Sequence, residues 1–164
     1  MMNIIGIDPG LTGALAAITP DGLKLTTMPI FEAGKRRFID EPRVVNWLID
    51  HAIRDARVFI ESVHAMPRQG VVSMFTFGTG WGQLRGICAG LGISYELVRP
   101  QEWQRVMLAG QPKGSEYLVA SRLWPFVEWR ATPRCKTAHA GLVDAALIAE
   151  FGRRASNGGV SRGT

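Results

Sequence analysis

The sequence is poor in cysteine: Cys88 and Cys135 stand alone among 164 residues, with no Cys-x-x-Cys or Cys/His spacing. That excludes a disulfide framework and a zinc-finger type of site, and it suits a reducing cytoplasm. Long apolar runs are also lacking. The longest stretch without a formal charge, Gln69 to Leu84, is too short, too glycine-rich and too polar to span a bilayer, and Met1 to Gly13 has no basic start of a secretory signal. A membrane-spanning or exported protein is therefore not expected. No repeat of fixed period and no low-complexity run occurs, apart from a Gly/Ser-rich end from Ala155 to Thr164.

What is present fits one globular domain. Hydrophobic residues make up 46% and charged residues 20% of the chain, enough to bury a core. A domain over residues 1 to 154 with a flexible tail over 155 to 164 is the expected division. Net charge is +5 and unevenly placed: residues 1 to 82 carry 8 Lys+Arg against 8 Asp+Glu, residues 83 to 164 carry 11 against 6. A basic half suggests a polyanionic partner, nucleic acid first.

Along the chain, Asn3 to Asp8, Gly13 to Thr19 and Leu23 to Met28 form three strands joined by short turns, an antiparallel meander. Asp40 caps a helix running to about Asp55, with Val45, Leu48, Ile49 and Ala52 at helical spacing. Arg57 to Glu61 is a fourth strand, residues 73 to 91 a long helix, and Ser94 to Val98 a fifth strand. Helices follow over 100 to 108, 115 to 124 and 141 to 153. This predicts an α/β fold with a five-stranded mixed sheet flanked by helices, in the order of the ribonuclease H-like fold.

Three acids are placed for chemistry. Asp8 and Glu61 each end an apolar strand, and strands one and four are neighbours in that fold, which sets the two carboxylates side by side. Asp144 lies in Gly141 to Ala149, a run otherwise apolar and small, where an acid is costly unless paired or bound to a cation. Oxygen ligands of this kind suit Mg²⁺ or Mn²⁺, and two such ions assist phosphodiester hydrolysis. The plainer alternative makes Asp8 a turn residue of Asp-Pro-Gly, and Glu61 and Asp144 capping or surface carboxylates.

Ile5-Gly6-Ile7-Asp8-Pro9-Gly10 with Gly13, the strand-end Glu61, and Asp144-Ala145-Ala146-Leu147-Ile148-Ala149 resemble the motifs of RuvC-type Holliday junction resolvases. Met66-Pro67-Arg68-Gln69-Gly70 through Ser73-Met74-Phe75 and Phe77-Gly78 is similar to the short phage and prophage branch. The resemblance covers residues 3 to about 152. It implies a homodimeric, Mg²⁺-dependent endonuclease, with two ions per active site, that nicks two strands of a four-way junction symmetrically in a bacterium or a phage-infected cell. Asp8, Glu61 and Asp144 take the metal-ligand positions.

One position departs from that pattern. The phage branch carries His-Asp-Gly where this chain has His139-Ala140-Gly141, so a carboxylate one turn before Asp144 is replaced by Ala140. His139 can join the site only if the helix begins after it. Lys113 falls where the family's loop has a basic residue for the scissile phosphate, and a plain solvated lysine is the other reading.

Candidate DNA contacts are Arg68, Phe75 as a wedge at the junction centre, the basic loop Lys35-Arg36-Arg37, and Arg130, Arg134 and Lys136. Phe77, Trp81, Leu84, Cys88 and Leu91 follow helical spacing and are expected in the core. Gly78, Gly82, Gly86 and Gly90 recur every fourth residue. Each costs about 1 kcal/mol against Ala in a helix, so a close approach is expected there, onto the sheet or across a dimer axis. Two rival classes remain: a junction-binding protein disabled by Ala140, and an actin-like or sugar-kinase lobe, whose opening strand is similar but which needs two lobes.

Overall fold

The computed structural model describes residues 2–52, 55–62 and 70–158. Its order is β1 (Asn3–Asp8), β2 (Ala14–Thr19), β3 (Gly22–Thr27), β4 (Ile30–Ala33), β5 (Arg36–Ile39), α1 (Glu41–Ala52), β6 (Ala56–Glu61), α2 (Val71–Gly90), β7 (Tyr95–Val98), α3 (Pro100–Met107), α4 (Glu116–Leu123) and α5 (Ala140–Ser156). The main sheet runs β3-β2-β1-β6-β7, antiparallel across β1–β2–β3 and parallel across β1–β6–β7. The five strands expected from the sequence are these five.

Alternation along the central strands divides the core into two layers. Ile4, Ala14, Ala16 and Phe59 face α3 and α5 with Trp103, Val143 and Leu147. Ile5, Ile7, Leu15, Val58 and Ile60 face α1 and α2 with Val44, Leu48, Leu84 and Cys88. Continuous apolar runs in β1 and β6 follow from burial on both faces. α5 sits unusually close to β1, because Gly6 has no side chain: a Cβ there would lie 2.1 Å from the Ala145 carbonyl oxygen. The alanines Ala145, Ala146 and Ala149, all fully buried, keep the helix side of that contact thin.

Three expectations are corrected. Lys35-Arg36-Arg37 is not an irregular loop. Ile30–Ala33 and Arg36–Ile39 pair antiparallel as a separate hairpin, turned at Gly34 with φ +63°, so Arg36 and Arg37 lie on a strand. The exposed, charged character of this segment hid its alternation. Of the two approaches expected for the glycine series on α2, the one onto the sheet is not made: a Cβ at Gly78, Gly82, Gly86 or Gly90 would meet nothing within 4 Å of this chain, and the α2 glycine that packs is Gly80, against Ile39. Third, α2 begins at Val71, two residues before the start expected at residue 73, so Phe75 sits in its second turn. At the other end α5 continues to Ser156, two residues into the segment expected as a tail.

Candidate active site at the strand ends

β1 and β6 run parallel with Ile7 opposite Ile60, so Asp8 and Glu61 emerge from neighbouring strands at the same edge of the sheet. Residue parity then fixes the face. Asp8 shares the side of Ile4 and Gly6, Glu61 shares the side of Phe59, and that side is covered by α5. The first turn of α5 rests on the β1–β2 connection, where a Cβ on Gly141 would lie 2.7 Å from the Thr12 carbonyl oxygen. Asp144, one turn further along, is thereby brought to the same edge.

The three carboxylates sense one another. Burial, followed by the charges of Glu61 and Asp144, pushes the Asp8 carboxyl up to about 8. Burial, then Glu61 and Glu116, pushes Asp144 up to about 7. Glu61 is also raised by burial, opposed by a hydrogen bond from Trp103. That indole, 1% exposed, donates its Nε1–H to Glu61 Oε1 at 2.8 Å, while Trp81 Nε1–H donates to the Glu61 backbone oxygen at 3.1 Å. Two tryptophans thus fix the strand end and one carboxylate oxygen.

Fit to a divalent cation is a matter of donor chemistry. The groups are hard oxygens carrying more negative charge than the protein neutralises, the condition that favours Mg²⁺-like ions. Among the described residues no three His, Cys, Asp or Glu side chains stand close enough to form a finished ligand set.

His139 is the N-cap of α5, so the helix does begin after it. Its Nδ1 accepts from the Leu142 N–H at 3.2 Å, which commits that nitrogen to the cap. Ala140 is the first residue of α5 and is exposed. Lys113 is exposed in the α3–α4 connection beside Gly114, φ +85°. Three residues on, Glu116 opens α4 near enough to Asp144 to raise it.

Glu116 and Trp103 were not singled out from the sequence. Neither has a local signal, since both reach the site from helices that only the packing of α3 and α4 on α5 brings there.

Of the candidate DNA contacts, Phe75 is 76% exposed on α2, and Arg36 and Arg37 are exposed on β5 with Lys35 in the turn before them. Arg134 and Lys136 are exposed in the segment before α5. Arg130 makes a two-point ion pair with Glu128, Nε to Oε1 at 2.9 Å and Nη2 to Oε2 at 2.6 Å. Arg68 lies outside the described residues.

No protein-family model and no curated protein sequence matches the chain. Solved structures do. A Thermus thermophilus RuvC structure is similar with TM-score 0.63 and 20% identity, over 94% of this chain and 97% of that one. T. thermophilus RuvC in complex with a Holliday junction substrate matches with TM-score 0.65 and 18% identity, over 97% and 98%. At these identities the likeness establishes the fold: a ribonuclease H-like α/β domain with a mixed five-stranded sheet and flanking helices. Among the described residues no helix is long and apolar enough to cross a membrane.

Proposed function

We propose that the chain is a divalent-metal-dependent endonuclease of the RuvC type, phage branch, acting in the cytoplasm as a homodimer on four-way or branched DNA. The observation that carries this is the gathering of Asp8, Glu61 and Asp144 at one sheet edge, with two of them pushed towards neutral pH by burial and mutual repulsion. The T. thermophilus neighbour bound to a Holliday junction supports the substrate class.

Asp8, Glu61 and Asp144 would hold the cation, with Glu116, whose charge reaches Asp144, a further oxygen donor. When bound, Mg²⁺ or Mn²⁺, two per site in this reading, would activate water and stabilise the leaving oxygen of a phosphodiester. Trp103 orients Glu61 by taking up one of its oxygens. Lys113 and His139 are assigned to the scissile phosphate and its surroundings, and Arg68, Lys35, Arg36, Arg37 and Lys136 to the DNA backbone, where each Lys or Arg that neutralises a phosphate frees its counterion into solution. Phe75, exposed on α2, is the wedge that unstacks the junction centre.

The exposed glycine face of α2 supports a dimer. Gly78, Gly82, Gly86 and Gly90 leave a surface on which a second helix can come close, and a two-fold axis there sets two sites for paired nicks.

Ala140 favours a second reading, a junction-binding protein with little nuclease activity, because the acid expected one turn before Asp144 is missing. One experiment separates them. The protein is mixed with a four-way junction and with linear duplex of equal length, in EDTA for binding and in Mg²⁺ for cleavage. Preferential junction binding with symmetric nicks, lost in Asp8→Asn, supports the nuclease. Binding without nicks supports the second reading, and equal affinity for duplex and junction refutes both.

A further inference from the structure

The β1–β6 pairing ends at Ile7 opposite Ile60, so at Glu61 the strand is paired from the β7 side alone, through Val98. Glu61 is thus less restrained by the sheet than the residues before it, while Asp8 and Asp144 both feel its negative charge. Repulsion of that kind drives like charges apart unless the backbone that carries one of them is held. From the α3 side Trp103 takes up Glu61 Oε1. From the α2 side the Trp81 indole donates to the Glu61 carbonyl oxygen at 3.1 Å.

Trp81 is itself held. The Arg85 guanidinium, one helical turn on, lies 4.4 Å from the centroid of the Trp81 ring, inside the range of cation–π attraction. Positive charge over the ring face draws electron density from the indole and makes its N–H a stronger donor. Arg85 Nε donates in turn to the Tyr95 hydroxyl at 3.3 Å, and the guanidinium lies 6.0 Å from the Tyr95 ring. Tyr95 opens β7, the strand that pairs with Glu61 at Val98. The contacts therefore close a circuit from β7 through Tyr95, Arg85 and Trp81 to Glu61 and back to β7. Trp81, Arg85 and Tyr95 are half-buried, and Leu84 and Cys88 of the same helix are fixed in the core behind them.

We propose that Trp81 is a positioning residue for the metal site and that Arg85 acts through it: together they hold the Glu61 peptide so that its carboxylate stays beside Asp8 and Asp144. Neither touches cation or DNA in this role. The inference rests on the divalent-metal reading above and adds the support behind one of its ligands. Partners that orient a ligand in this way change metal affinity about 10- to 100-fold.

The test measures Mn²⁺ binding to the full chain without DNA, by electron paramagnetic resonance of the free ion, with junction affinity in EDTA as the second readout. Trp81→Phe keeps an aromatic ring and removes the donor. It should weaken Mn²⁺ about 10-fold or more and leave junction affinity at the parental value. Arg85→Leu should weaken Mn²⁺ about 2- to 10-fold, whereas Arg85→Lys, which keeps a cation over the ring, should hold most of the parental affinity. In the Trp81→Phe background Arg85→Leu should cost nothing further, because its effect runs through the indole. Equal Mn²⁺ affinity of the parent and Trp81→Phe, or losses that simply add in the double variant, overturns the positioning role. If Trp81→Phe does not fold, the Arg85 pair decides: equal affinity of the Leu and Lys variants overturns it. Absence of Mn²⁺ binding by the parent, or binding unchanged in Asp8→Asn, overturns the metal reading and this inference with it.

Discussion

Replacing Asp8 by Asn is expected to stabilise the metal-free protein at alkaline pH while abolishing cleavage. In the unfolded chain Asp8 releases its proton near 3.8, whereas in the folded protein it keeps it to about 8. Between those values the unfolded state binds fewer protons, so stability falls as pH rises from about 4 to about 8 and stays reduced above. Asn is neutral throughout and escapes this cost. At about 1.4 kcal/mol per pH unit the whole span would amount to roughly 6 kcal/mol. Asp144 and Glu61 share the repulsion, so the acids titrate as a coupled set and about 2–3 kcal/mol is the working figure for Asp8 alone.

For a chain of this size that is about 5–10 °C in melting temperature. Thermal unfolding in EDTA should show the variant above the parent at pH 8.5 and level with it near pH 4. Adding Mg²⁺ at pH 8.5 should raise the parent and leave the variant nearly unmoved, because the cation relieves the same repulsion. A variant less stable than its parent at pH 8.5, or a gain independent of pH, would refute the electrostatic account of the site.

Trp103→Phe keeps an aromatic ring in the core but removes the donor to Glu61; cleavage should fall about 10- to 100-fold at unchanged junction affinity, from a bond to a charged group of about 1.5–3 kcal/mol. Ala140→Asp places an acid at the exposed first residue of α5, where the helix N-terminus favours it, and gel assays should show junction cleavage rising by orders of magnitude. No gain would mean that the position holds no ligand. Glu116→Gln should lower the Asp144 titration seen by NMR and reduce cleavage if Glu116 substitutes for the missing acid; cleavage at the parental rate would exclude it. A Cβ at Gly82 or Gly86 would meet no atom of the subunit within 4 Å, and Leu gains about 1 kcal/mol of helix propensity per site, so Gly82→Leu with Gly86→Leu should melt no lower than the parent yet yield a monomer by light scattering. A stable dimer in that variant would move the interface elsewhere.

By itself the sequence determined the strands and helices of the main sheet and the address of the acids. β1 and β6 are apolar on both faces and each ends in a single carboxylate, so their position at the strand ends follows from where the hydrophobic run stops. The apolar run around Asp144 identified the third acid for the same reason. The β4–β5 hairpin escaped, because its residues are mostly exposed and its pairing is made against itself rather than against the core. Only the tertiary structure decided which face the acids share, since that depends on strand register and on the near contact of α5 at Gly6. It alone brought Trp103 and Glu116, from helices 40 or more residues downstream of Glu61, to the same edge, and it alone showed that Gly80 packs while the regular glycine series does not. Local pattern records how far a segment is buried; which distant side chain meets it is set by long-range packing, and no local period encodes that.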